Sequence, residues 1–145
     1  MYLTKSDILK IPAFNLARLE SLKVNFRSRI GAVLVHRNKI VSVGRNYPLK
    51  THPILRKYDK HKTLHAEIDC MIGLDRSLSV GSTIYTYRED RNGNLKKSKP
   101  CLMCMSIMRE LGIKKVFYTH DKGYSELKIG DKPNEIQKER TIKIT

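Results

Sequence analysis

Two short segments, His65-Ala66-Glu67 and Pro100-Cys101-Leu102-Met103-Cys104, constrain this chain more than anything else in it. Each stands where a loop gives way to helical periodicity, so a fold that uses both must bring two helix N-termini together. A helix N-terminus carries partial positive charge and lowers the pKa of a cysteine placed there, favouring the thiolate that a metal binds. One imidazole and two thiolates are ligands of the kind zinc takes, and three protein ligands leave a fourth position for water, as a catalytic zinc requires. Glu67, two residues past His65, is within reach of that position and is the expected proton carrier. A closed structural site from His61, His65, Cys101 and Cys104 is the competing arrangement, but it leaves Glu67 without a task, and a chain of this length has little need of a structural ion. A redox role for the Cys-x-x-Cys pair ignores both His65 and Glu67.

Around the motifs, apolar periodicity switches between helix and strand. Leu16, Leu19 and Leu22 predict a helix over Ala13 to Lys23, with Pro12 in its first turn. Ile30 to His36 and Lys39 to Gly44 are β-branched runs joined by Arg37-Asn38, which reads as a hairpin. Thr63 is the expected cap of a helix through Ala66, Ile68, Met71 and Ile72 that ends near Gly73. Thr83 to Tyr87 reads as a third strand, Cys101 to Leu111 as a helix stopped by Gly112, and Lys115 to Thr119 as a fourth strand. Residues 128–145 give only a weak terminal helix or strand. Strands that alternate with helices after an opening hairpin predict an α/β fold, a three-layer α/β/α sandwich around a mixed sheet. One domain is expected over 1–145, its core at about 13–120 and a C-terminal extension at 121–145.

The charge balance narrows the partner. Lys and Arg number 29 against 14 acids, a net charge of +15 that sets a strong positive field and points to an anion. Charge alone does not separate the phosphate of one nucleotide from the backbone of a polymer. In the irregular stretch 45–62, Arg45, Lys50, Arg56, Lys57, Lys60 and Lys62 face Asp59 alone. In the stretch 88–99, Arg88, Arg91, Lys96, Lys97 and Lys99 outnumber Glu89 and Asp90, a grip for phosphate beside the metal motifs. No apolar run approaches the ~18 residues of a membrane span, and the start lacks an apolar stretch with a cleavage site, so a cytoplasmic setting is expected. Cys70 sits in an apolar helical stretch as a buried hydrophobe. His36, His52 and His120 are expected to be ordinary surface or satisfied histidines, and Tyr85, Tyr87 and Tyr118 to pack, with Tyr87 also placed for base stacking.

His-x-Glu followed by Pro-Cys-x-x-Cys is the signature of zinc-dependent base deaminases. With Gly31-Ala32-Val33-Leu34-Val35 and Gly44-Arg45-Asn46, these segments resemble the cytidine deaminase superfamily over about residues 13–120. The resemblance implies a cytidine deaminase-like fold, zinc at His65, Cys101 and Cys104, Glu67 as proton shuttle and Asn46 against the sugar. Ala66 and Arg88 are the further substrate contacts expected. The His-Ala-Glu form is similar to the deoxycytidylate and tRNA adenosine deaminases, whereas free cytidine deaminases use cysteine as first ligand. Met103 is also seen in the tRNA enzymes, but their Glu before Pro-Cys is here Lys99. The 88–99 stretch is longer than in either branch and similar to inserts in deaminases of large DNA viruses and phages. The implied activity is hydrolytic deamination of a cytosine nucleotide, dCMP to dUMP with release of ammonia. The alternative is editing of cytosine or adenine within tRNA or single-stranded nucleic acid. The resemblance also implies a homo-oligomer; no membrane partner is expected.

Overall fold

The computed structural model describes residues 4–48 and 64–130, together with the backbone of 139–143. Helices α1 (Lys5–Leu9) and α2 (Pro12–Ser21) precede strands β1 (Ile30–His36) and β2 (Lys39–Arg45). After them come α3 (Ala66–Met71), α4 (Arg76–Ser79), β3 (Thr83–Arg88), α5 (Leu102–Glu110), β4 (Lys115–His120), β5 (Gly123–Lys128) and β6 (Glu139–Lys143). The strands form one six-stranded sheet in the order β2-β1-β3-β4-β5-β6. It is mixed: β3 and β4 run parallel, joined by the α5 crossover, and the other neighbours are antiparallel. Arg37 and Asn38 take φ of 51° and 64°, the left-handed pair that matches a tight hairpin turn to the strand twist.

Side chains alternate across the strands and divide the core in two. Ala32, Leu34, Ile84 and Val116 face α3 and α5, where they meet Ile68, Met105 and Ile107. Val33 and Tyr87 point the other way, against Ile8, Phe14 and Ala17 of α1 and α2. The result is the expected α/β/α layering. Each fully buried residue such as Phe14, Leu34 or Ile68 contributes roughly 1.5–3 kcal/mol through removal of apolar surface from water.

Two glycines set the spacing of these layers. A β-carbon on Gly31 would overlap the Ala17 carbonyl of α2, and one on Gly44 would overlap the Ala66 carbonyl of α3. Backbone therefore lies directly on backbone at β1–α2 and β2–α3, which fixes α3 against the sheet.

The structure departs from expectation at several elements. The C-terminal extension is not marginal: β5 and β6 continue the sheet as an antiparallel pair. Along β5, Ser125 and Leu127 are buried on one face while Tyr124 and Glu126 are half-buried on the other, so polar residues fall on both faces and mask the period of two. The short helices α1 and α4 were too brief for a periodicity argument; α1 is held by a capping box between Thr4 and Asp7. Thr63 lies outside the described residues, and the cap of α3 is His65 itself. No helix among the described residues is long and apolar enough to cross a membrane.

Candidate metal centre and its cavity

Helix α3 is fastened to β2 at three points. The Arg45 amide donates to Asp69 Oδ2 at 3.1 Å, the Ser42 hydroxyl donates to the Cys70 carbonyl at 2.7 Å, and Gly44 lets the backbones touch. Just ahead of the helix, Tyr47 and Leu64 exchange both backbone hydrogen bonds, at 2.8 and 3.1 Å. His65 follows at once with extended backbone, at the N-terminus of α3.

The second half of the centre is held by hydroxyl groups. Ser98, only 2% exposed, lies where β3 and β4 end side by side. Its amide donates to the Thr119 carbonyl at 2.9 Å, the Thr119 amide donates to its Oγ at 2.8 Å, and the Thr86 hydroxyl donates to its carbonyl at 2.9 Å. This buried polar knot is fully paired, as a knot out of water must be. Three residues further on, Cys101 takes the N-terminal position of α5, and its sulfur accepts the Cys104 amide at 3.5 Å.

The two helix starts converge. His65 Nδ1 lies 3.7 Å from Cys101 Sγ and 3.3 Å from Cys104 Sγ, and the three ligand atoms all fall within 4.8 Å of one another. Zinc bonds of about 2.0–2.3 Å in a tetrahedron give ligand-to-ligand edges of about 3.5–3.8 Å, so the donor set has both the chemistry and the spacing for zinc. The neighbouring Cys104 thiol and His65 hold Cys101 down to about 3, a thiolate at neutral pH, whereas Cys101 and burial push Cys104 up. His65 is raised by its hydrogen bond to Cys101. All three cysteines are free thiols, and Cys70 is the buried hydrophobe expected. His61 and His52 lie outside the described residues; His36 and His120 are not in the cluster, and His120 Nε2 sits 3.1 Å from Ser125 Oγ.

A cavity of about 270 Å³ opens onto this cluster. Among the described residues its walls include His65, Ala66, Glu67 and Cys101 with Asn46, Lys99 and Phe26. Glu67 is 3% exposed, and burial raises its pKa against the opposing pull of Cys104 and His65. A carboxyl raised in this way is suited to accept a proton and return it near neutral pH. Asn46 lines the cavity, but its carboxamide also organises the wall: the Ile30 amide donates to Oδ1 and Nδ2 donates to the Ser28 carbonyl, both at 2.8 Å.

Arg88 is not among the described residues that line the cavity; its Nη1 lies 3.5 Å from the Lys97 carbonyl. The 88–99 stretch instead folds back over α1 and α2. Lys5 donates to the Gly93 carbonyl at 2.6 Å, Leu95 joins the core beside Phe14, and Glu89 accepts from Arg18 at 2.7 Å and from the Tyr87 hydroxyl at 2.9 Å. Tyr87 is fully buried, so it packs and cannot stack on a base. Sequence reasoning missed Phe26, Ser28, Ile30, Tyr47 and Pro48 as cavity walls. Tyr47 and Pro48 were signalled only by following Asn46, whereas Ser28 and Ile30 reach it through hydrogen bonds that the sequence does not show.

Residues 13–120 match the family described as the cytidine and deoxycytidylate deaminase zinc-binding region. No curated protein sequence matches the chain significantly. Among solved structures, the apo dCMP deaminase of cyanophage S-TIM5 is 23% identical with a TM-score of 0.52, over 79% of this chain and 82% of that one. The same phage enzyme in complex with dCMP and dUMP is 21% identical, with the same TM-score of 0.52 and the same coverage of 79% and 82%. Cytidine deaminase from Burkholderia pseudomallei is 18% identical with a TM-score of 0.58, over 92% of this chain and 100% of that one. At these identities the likeness is one of fold.

Proposed function

The chain belongs to the cytidine and deoxycytidylate deaminase zinc-binding family, and from that membership we propose that it hydrolyses the cytosine amine of a nucleotide, converting dCMP to dUMP and ammonia. One observation carries the reading: Glu67 is buried in the wall of a nucleotide-sized cavity, directly beside the His65, Cys101 and Cys104 cluster. His65, Cys101 and Cys104 would hold a zinc ion, which when bound would supply the Lewis acidity that activates water. Glu67 takes one proton of the attacking water and delivers it to the ring nitrogen, where it stays, and then carries the second proton of that water to the departing amine. The carbon–nitrogen bond breaks, oxygen from water takes its place and ammonia leaves. Asn46 and Ala66 contact the substrate from the cavity wall, Asn46 at the sugar.

The phage enzyme that carries dCMP and dUMP on the same fold supports the mononucleotide. The net charge of +15 favours a second reading, a deaminase acting within tRNA or single-stranded nucleic acid. Ammonia release by the zinc-loaded protein separates them, with dCMP, CMP, deoxycytidine, single-stranded DNA and tRNA as substrates. Turnover of dCMP at least tenfold above the polymers is the expected result; faster release from an oligonucleotide overturns it. The reading extends to a homo-oligomer, because Leu102, 82% exposed in the first turn of α5 beside Cys101, is an apolar side chain that a second copy would cover. Three free thiols fit a reducing, cytoplasmic setting.

A further inference from the structure

We infer that Lys99 is the specificity-determining residue of the cavity, selecting substrates that carry a phosphate on the sugar; this rests on the deamination reading above. Among the described residues lining the cavity, Lys99 is the only Lys or Arg and Glu67 the only carboxylate. The two charges divide the cavity. A phosphate dianion is repelled from the Glu67 end, and the neutral ring has no need of the ammonium, so the substrate is oriented with its ring toward Glu67 and its phosphate toward Lys99. Lysine serves phosphate as a compact point charge.

The position of that charge is fixed from both sides in the chain. Ser98, immediately before Lys99, is locked into the buried knot with Thr86 and Thr119, and Cys101, two residues after, is a metal ligand. The backbone of Lys99 is therefore fixed two residues from the metal cluster, and the residue lines the cavity. Its Nζ lies 5.9 Å from the ring centre of Tyr118, a buried aromatic of β4. Within the same stretch, Lys96 pairs with Asp90 at 3.8 Å, Arg91 donates to the Phe26 carbonyl at 3.3 Å, and neither side chain is among the described residues that line the cavity. The basic stretch thus brings one cation, Lys99, to the cavity wall.

The test compares dCMP, deoxycytidine and a single-stranded oligodeoxycytidylate as substrates for wild type, Lys99→Gln and Lys99→Arg, each with zinc content measured. A charge-assisted hydrogen bond lost from a cavity corresponds to about a 10- to 100-fold effect. The ratio of kcat/KM for dCMP over deoxycytidine should fall by that factor in Lys99→Gln, through KM, while Lys99→Arg retains most of it and zinc stays bound in both. Added salt should raise the KM for dCMP more than that for deoxycytidine. A ratio that survives in Lys99→Gln, or an equal loss on both substrates, overturns the Lys99 inference and leaves deamination standing. Selectivity expressed only on the oligonucleotide assigns the cation to a phosphodiester and overturns the mononucleotide. No turnover of any cytosine nucleotide by the zinc-loaded wild type overturns both readings.

Discussion

The Thr119 amide donates to the Ser98 hydroxyl at 2.8 Å, and through that bond β4 holds the segment that delivers Cys101 to the metal centre. Ser98→Ala removes the acceptor and leaves a buried amide unpaired, a cost of about 1–3 kcal/mol. Thermal unfolding should move down by several degrees, and chelator competition should show weaker zinc binding. A lower unfolding temperature with unchanged zinc affinity would confine the knot to folding alone.

Glu67 lines the cavity but stands outside the three-ligand cluster. Glu67→Gln keeps the volume and removes the proton carrier, so zinc content should remain near one per chain while kcat falls by about 10²- to 10⁴-fold. Full turnover in the zinc-replete variant removes Glu67 from the mechanism.

Cys101 and Cys104 supply two of the three ligand atoms. Cys101→Ala and Cys104→Ala should each lose metal and activity together, read by metal analysis of the purified protein. Stoichiometric zinc in either variant assigns the ligand elsewhere.

Glu89 provides a pH signature of the fold. Burial opposes its ionisation, but donation from Arg18 and Tyr87 and the charge of Lys5 outweigh it, so the carboxyl is held below its ordinary value. A depressed folded-state pKa contributes stability above the unfolded value of about 4.3 and loses it as pH falls through the lower folded value. Urea midpoints for wild type should therefore drop steeply below about pH 4. Glu89→Gln should be less stable at pH 7 by about 1–3 kcal/mol and show a shallower acid decline. Parallel curves for the two proteins would deny Glu89 this role.

The contrast between Glu67 and Glu89 shows what could be read in advance. His65, Glu67, Cys101 and Cys104 stood out in the sequence because they match a known motif pair at helix starts, and the fold brings His65, Cys101 and Cys104 together. Arg37-Asn38 likewise announced its turn, as a polar two-residue link between two β-branched runs. Glu89 looked like a minor acid in a basic stretch, yet it is the buried partner of Lys5, Arg18 and Tyr87, which come from three separate elements. The Ser98, Thr86 and Thr119 knot is hidden for the same reason: each residue alone is an ordinary polar position in a strand or loop. Lys99 entered as one of five bases in the 88–99 stretch and as a departure from a family pattern, and its place on the cavity wall needed the fold.

The paired backbone bonds of Tyr47 and Leu64 separate the geometry of the site from the length of chain between them. Asn46 and His65 stand on either side of that pair: Asn46 accepts from the Ile30 amide of β1, and His65 opens α3, which Asp69 and Cys70 tie to β2. Changing the number of residues there alters a closure entropy that grows only as the logarithm of length. The pairing of Tyr47 with Leu64 therefore keeps Asn46 and His65 together at the cavity wall across an interval whose length enters only through that slow term.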